Sequence, residues 1–144
     1  MVLLHGAVLG GSVVEVWLCD RPFTMALGVP MLALVALANA LRWWVIRSLG
    51  LHWNVAVMGS THLGIVSGGP YRFVRHPNYV AVFVELAALP LVHGAWLTAT
   101  VGTAAHVVVL RRRLALEEAV LDADPAYRVA MGRRPRFIPW PTSS

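Results

Sequence analysis

Gly69-Pro70-Tyr71-Arg72-Phe73-Val74-Arg75-His76-Pro77-Asn78-Tyr79 is a polar block in an otherwise apolar chain, and the two apolar runs beyond it decide the fold. From about Tyr79 to Val92, and again from about Ala95 to Leu110, nearly every side chain is apolar, with only His93-Gly94 between the two runs. Apolar runs of this length predict helices, and so short a break predicts a tight helical hairpin. Pro77 suits the first turn of the hairpin's first helix, where a missing N–H costs nothing. The free N–H groups at that helix start suit a ligand carboxylate.

Two more apolar stretches lie upstream, from about Val2 to Cys19 and from about Thr24 to Ile46. A hydrocarbon core of about 30 Å needs roughly 20 helical residues. The second stretch is long enough, whereas the two hairpin segments are short and need not cross fully. The first stretch has no basic leader and no small-x-small cleavage site before Asp20-Arg21, so it reads as a retained helix. The predicted fold is all-α: a polytopic integral membrane protein of about four transmembrane helices, the last two a hairpin, with a C-terminal amphipathic helix or tail. One domain over residues 1–144 is expected, with the first two helices and a loop in 1–61 and the motif-bearing half in 62–144.

Composition agrees. Hydrophobic residues make up 58% and charged residues only 13%, against about a quarter charged in soluble domains. All twelve cations are arginine, and an arginine- and alanine-rich chain without lysine suggests a GC-rich, bacterial genome. No stretch interleaves exposed aromatics with cations, which argues against nucleic acid. Because the arginines sit beside apolar segments, a membrane surface is the expected partner. With both termini inside, eleven of the twelve arginines fall on the inner side and only Arg21 outside, as the positive-inside rule requires. That topology puts the polar block and Arg111-Arg112-Arg113 together on the cytoplasmic face. The single Cys19 excludes an internal disulfide or a cysteine metal site. His5, His52, His93 and His106 lack metal-ligand spacing, so no metal is expected.

Three segments carry candidate chemistry. In Gly68-Gly69-Pro70-Tyr71 the glycines permit unusual dihedrals and a close ligand approach, but no Gly-Lys-Ser/Thr follows, so it is no phosphate loop. No strand–helix glycine fingerprint exists either, which removes the Rossmann route to a nucleotide. A plain turn before a helix explains this tetrapeptide equally well. In Arg75-His76-Pro77-Asn78-Tyr79, Arg75 or Tyr79 alone fits a membrane interface. The pentapeptide as a whole suggests a site, with His76 and Tyr79 as polar contacts and a tyrosine face open to a cation such as a sulfonium. In the segment leaving the fourth helix, Arg113 and Glu117 are four apart on one helical face. They either point at one site or form a surface pair worth a few tenths of a kcal/mol. Tyr127, Met131 and Pro135-Arg136-Phe137-Ile138-Pro139-Trp140 form an amphipathic tail that either lies on the membrane or covers a pocket. Among the acidic residues in apolar segments, Glu85 suits an ion pair or substrate binding, and Glu15 a solvated or packing role. Trp43-Trp44 and Trp96 fit interfacial belts first and walls around a lipid substrate second.

Taken in order, Gly69-Pro70-Tyr71, Arg75-His76-Pro77-x-Tyr79, a hairpin, Arg113-x-x-x-Glu117-Glu118, Tyr127 and Pro135-Arg136-Phe137-Ile138-Pro139 resemble the isoprenylcysteine carboxyl methyltransferase family over roughly residues 62–139. The resemblance implies S-adenosylmethionine bound in a helical membrane fold. It assigns cofactor contacts to Leu63, Gly64, Ile65 and Val66, to Tyr71, to His76, Pro77, Asn78 and Tyr79, and to Glu117. It places Arg113 near the substrate, so that Arg113 and Glu117 are the expected catalytic positions. Where the family often has histidine, this chain has Leu63, with His62 one place earlier. The expected activity is O-methylation of a lipophilic acceptor in the bacterial cell membrane, either an isoprenylcysteine-type carboxylate or a lipid phenol. The alternatives are a phospholipid N-methyltransferase and a non-catalytic helical membrane-assembly subunit. The expected partners are that acceptor and the bilayer, without nucleic acid or metal; no oligomeric state follows.

Overall fold

The computed structural model describes residues 2–50 and 65–139. Five α-helices carry most of them: α1 (Val2–Leu18), α2 (Met25–Leu49), α3 (Pro77–Leu91), α4 (Trp96–Leu121) and α5 (Pro125–Met131), with a 3-10 turn over Gly69–Arg72. There is no strand among the described residues, in keeping with the all-α expectation. The apolar stretch ends near Leu110, but α4 continues through Leu121, as the helical spacing read for Arg113 and Glu117 requires. Arginine, leucine, alanine and glutamate are all good helix formers, so the loss of apolar character does not end the helix. Arg111–Arg113 and Glu117-Glu118 therefore lie within α4.

At 25 residues α2 is about 37 Å long. Among the described residues it is the one helix long and apolar enough to cross a membrane. Leu32, Leu37 and Trp43 on it are exposed, an apolar surface that suits lipid better than water. α1 and α3 are shorter apolar helices.

The chain forms two compact units, one of Met1–Asn39 with Ala81–Leu110 and the other of Ala40–Val80 with Arg111–Ser144. In the first, Val8 of α1 packs with Val82 and Leu86 of α3, and Leu4 lies against them. The hairpin turn closes by the glycine geometry common at helix ends. Gly94 has φ +67°, its N–H reaches Leu91 O at 3.0 Å, and Ala95 N–H reaches Pro90 O at 3.0 Å. Those two bonds satisfy last-turn carbonyls of α3. Glu15 takes a packing role. Its buried carboxylate accepts N–H bonds from Leu97 at 3.2 Å and Thr98 at 2.7 Å, two of the donors that every helix leaves unpaired at its start. A negative charge is favourable there.

In the second unit, Gly69 has φ +57°, a left-handed conformation that favours glycine. A Cβ there would run into Ser48 Oγ and come within 3.3 Å of Trp44 Nε1, so the turn lies directly against α2. Asp124 caps α5 by accepting Ala126 N–H at 2.8 Å, and Pro125 occupies the first helical position, where its lack of an N–H is harmless. Tyr127 and Met131, one turn apart on α5, are buried.

Candidate active site

Pro77 starts α3, which puts His76 just ahead of the helix and Tyr79 in its first turn. The C-terminal half of α4 supplies Arg113, Glu117 and Glu118. All belong to the second unit, and four of the residues expected from sequence come together there. The Tyr79 hydroxyl donates a short hydrogen bond to Glu117 Oε2. The His76 and Tyr79 rings lie 5.6 Å apart, and His76 Nδ1 is 3.9 Å from Glu117 Oε1. The Arg113 guanidinium sits 5.8 Å from the centre of the Tyr79 ring, within cation–π range.

The other expected positions are placed less directly. Pro77 is fully buried. Asn78 Oδ1 is buried with no hydrogen-bond partner. Tyr71 is half-buried in the 3-10 turn. Burial, with Glu117 and Tyr127 adding to it, pushes its hydroxyl far above the usual tyrosine range, so it stays protonated. Ile65 and Val66 are half-buried in irregular chain leading to the turn. Leu63 and Gly64 lie outside the described residues.

The structure adds Glu118, which sequence reasoning passed over for Glu117. Adjacent helical residues point about 100° apart, and Glu118 is the more deeply buried of the two. Its carboxylate accepts from Arg136 at 2.8 and 2.7 Å, a two-pronged contact that arginine's planar fork favours. It also faces His76 Nε2 at 3.3 Å and Arg75 Nη2 at 3.7 Å, while Arg75 reaches Asp122 at 3.8 Å. Burial pushes the Glu118 carboxyl up, but the hydrogen bonds and charge of Arg136, helped by His76 and Arg75, outweigh that and hold it below the usual glutamate range. For His76 burial prevails over the attraction of Glu117 and Glu118, so the imidazole is held below its ordinary value. Of the two carboxylates facing the ring, Glu118 at 3.3 Å from Nε2 is nearer than Glu117 at 3.9 Å from Nδ1, so a neutral ring favours its proton on Nε2. Nδ1 is then an acceptor on the Glu117 side.

The tail lies on the polar block. Arg75 N–H bonds Pro135 O at 2.9 Å and His76 N–H bonds Arg136 O at 3.0 Å, and the Phe137 ring lies 6.2 Å from His76. Arg134 donates to Ser67 O at 2.9 Å and Tyr71 O at 2.6 Å. Under this strap only 3% of the His76 side chain is exposed. Of the two readings the sequence offered for this tail, membrane surface or cover, the contacts with the polar block match the cover.

Helical throughout its regular elements among the described residues, with a membrane-length apolar helix and this polar cluster, the chain has the features of a helical membrane protein. Residues 31–123 match the isoprenylcysteine carboxyl methyltransferase (ICMT) family, and the chain belongs to that family of membrane methyltransferases. The match takes in the polar block, Glu117 and Glu118 and stops before the strap. The chain is 28% identical over 123 residues to the uncharacterized protein YpbQ of Bacillus subtilis, covering 85% of this chain and 72% of the relative. It is 32% identical over 92 residues to an uncharacterized protein of Haemophilus influenzae, covering 63% of this chain and 54% of the relative. No solved structure matches.

Proposed function

We propose that the chain is an S-adenosylmethionine-dependent methyltransferase of the bacterial cell membrane that O-methylates a lipophilic acceptor, an isoprenylcysteine-type carboxylate or a lipid phenol. In this reading residues 1–144 form one membrane-embedded domain with about four helices in the bilayer, and the active site faces the cytoplasm. The observation that carries it is the Tyr79–Glu117–His76 cluster, in which side chains 38 residues apart at the family's motif positions make direct contact. The donor set fits the cofactor. Glu117, His76 Nδ1 and the unpartnered Asn78 Oδ1 are acceptors, and S-adenosylmethionine presents an ammonium group and ribose hydroxyls. Leu63, Gly64, Ile65, Val66, Tyr71, His76, Pro77, Asn78, Tyr79 and Glu117 would hold it. When bound, it supplies a methyl group made electrophilic by the sulfonium.

The chain's own contribution is to bind and orient. Tyr79 fixes Glu117 through its hydroxyl, and Arg113 sets a positive charge beside the Tyr79 ring, where an anionic acceptor is favoured. Holding two partners at attack distance supplies much of the rate of such a displacement. A carboxylate acceptor needs no base, while a phenol needs one, and Glu117 or His76 would accept that proton. An amine acceptor gains nothing from Arg113, which disfavours phospholipid N-methylation. The arginine-only cation composition, taken as bacterial, favours the small lipid over the prenylcysteine.

The test is transfer of a radiolabelled methyl group to a membrane lipid extract, with the labelled product identified. Wild-type protein should label an O-methylated lipid, and Glu117→Gln and His76→Asn should lose labelling. Absence of both labelling and calorimetric S-adenosylhomocysteine binding in detergent would leave the non-catalytic assembly subunit as the better reading.

A further inference from the structure

We propose that Arg136 is a positioning residue that acts through Glu118 on His76. It fixes the imidazole as the Nε2–H tautomer and leaves Nδ1 as an acceptor beside Glu117. The assignment rests on an unbroken chain of contacts. Arg136 holds both oxygens of Glu118 at 2.8 and 2.7 Å. Glu118 Oε1 in turn faces His76 Nε2 at 3.3 Å. The Arg136 carbonyl closes the loop by accepting the His76 backbone N–H at 3.0 Å. The main chain of the histidine is thus held directly by Arg136, from outside the part of the chain that matches the family, and its ring through Glu118, which lies within that part.

The tautomer matters because of what lies on the other side of the ring. Nδ1 and Glu117 Oε1 stand 3.9 Å apart, too far for a hydrogen bond to each other. With the ring proton committed to Glu118, both are acceptors. Two neighbouring acceptors suit a ligand group that brings its own protons, such as an ammonium or a hydroxyl, and repel a carboxylate. If Glu118 lost its grip, the proton could move to Nδ1, and the pair would become donor and acceptor with no call for a ligand donor. Other charged and titratable groups face His76 as well: Arg75, which also reaches Glu118 at 3.7 Å, Glu117, and Tyr79, whose ring is 5.6 Å away. Of the cations described around Glu118, Arg136 makes the two-pronged contact that fixes the carboxylate plane.

Histidine nitrogen NMR on the full chain in detergent micelles tests this without any cofactor, the His76 signal being assigned by its loss in His76→Asn. Wild type should show a neutral Nε2–H ring that resists protonation on mild acidification. Arg136→Gln leaves the negative charge of Glu118 less compensated, so His76 should protonate at higher pH and lose its single tautomer. Arg136→Lys keeps the charge and should restore most of the wild-type titration. Arg134→Ala loosens the strap from Ser67 and Tyr71 without touching Glu118, and separates simple exposure of the ring from the Glu118 route. An unchanged His76 titration in Arg136→Gln, or an equal change in Arg134→Ala, overturns the proposal. Should Arg136→Gln fail to fold, Glu118→Gln decides: without the carboxylate beside Nε2, His76 should protonate at lower pH than in wild type, and an unchanged titration overturns the proposal.

A second arm rests on the methyltransferase reading, with S-adenosylhomocysteine as the calorimetric probe. Arg136→Gln should weaken binding about tenfold, the scale of one charge-assisted contact, with Arg136→Lys in between. If wild type does not bind the probe, the methyltransferase reading fails while the NMR result still decides the role of Arg136. If wild type binds and Arg136→Gln binds equally well, the positioning role fails alone.

Discussion

Replacing Glu118 with alanine should destabilise the protein by about 2–4 kcal/mol, most of it through His76. The His76–Glu118 contact is buried on both sides, and removing the acceptor from a buried donor costs about 1–3 kcal/mol. Arg136 contributes less despite its better geometry. Its side chain is 56% exposed, so once released it regains water, and a screened pair of this kind is worth about 0.5–1 kcal/mol. Arg75 adds little, because Asp122 at 3.8 Å remains as a partner. Glu118→Gln keeps an acceptor for Nε2–H and should lose only about half as much. The pH dependence provides a second signature. The Glu118 carboxyl is held below its ordinary value in the folded state, so its contribution is fully present above about pH 4.3 and is lost as pH falls through the folded value. His76 is also held low. Its contribution is present above about pH 6.5 and is lost as acidification forces a proton onto the buried ring. Both slopes have the same sign, and Glu118→Gln removes the more acidic one. Equilibrium unfolding in mixed micelles from about pH 2.5 to about pH 8 reads both effects, the Glu118 slope lying below about pH 4.3 and the His76 slope below about pH 6.5. The reasoning fails if Glu118→Ala stays within about 0.5 kcal/mol of wild type, or if Glu118→Gln leaves the acid slope intact.

Glu15→Ala should cost about 1–3 kcal/mol in the same unfolding assay, since it removes two hydrogen bonds from the start of α4 and such bonds average about 0.6 and reach about 1.7 kcal/mol each in membrane proteins; a neutral result would show those N–H groups satisfied otherwise. Gly69→Ala should destabilise by about 1–2 kcal/mol because its φ of +57° is strained for any residue with a Cβ, and Ser48→Gly should recover only the steric part. Tyr79→Phe and Glu117→Gln should each weaken S-adenosylhomocysteine binding, and calorimetry on the double variant should show clear non-additivity, because the two side chains share one hydrogen bond and partners in contact do not act independently. Simple additivity would mean that they meet the cofactor separately.

Helix starts and stops were legible where a local cause marks them. Asp20-Arg21, Pro77 and His93-Gly94 interrupt the apolar pattern with charge, a missing N–H or a left-handed turn, and α1, α3 and the start of α4 begin or end beside them. The apolar pattern did not mark the far end of α4, because apolarity measures what a segment packs against and helix continuation depends on backbone propensity; only the Arg113–Glu117 spacing pointed past Leu110. The two part company at Arg111. The candidate site divides along the same line. The family resemblance singled out Glu117, and its spacing from Arg113 put the two on one helical face, whereas the partners of Glu118 come from other parts of the chain. His76 is 42 residues away from it and Arg136 is 18, and no periodicity links them. Two adjacent glutamates on a helix must point in different directions, so the pair itself implied two environments. Only the folded tail shows which was which: Glu118 is turned inward to hold His76 and the strap, and Glu117 is left with Tyr79 on the more open side, with a third of its side chain exposed. The inner carboxylate is spent on structure so that the outer one can meet a ligand. The inward residue should therefore tolerate substitution least in unfolding measurements, and the outward one least in binding.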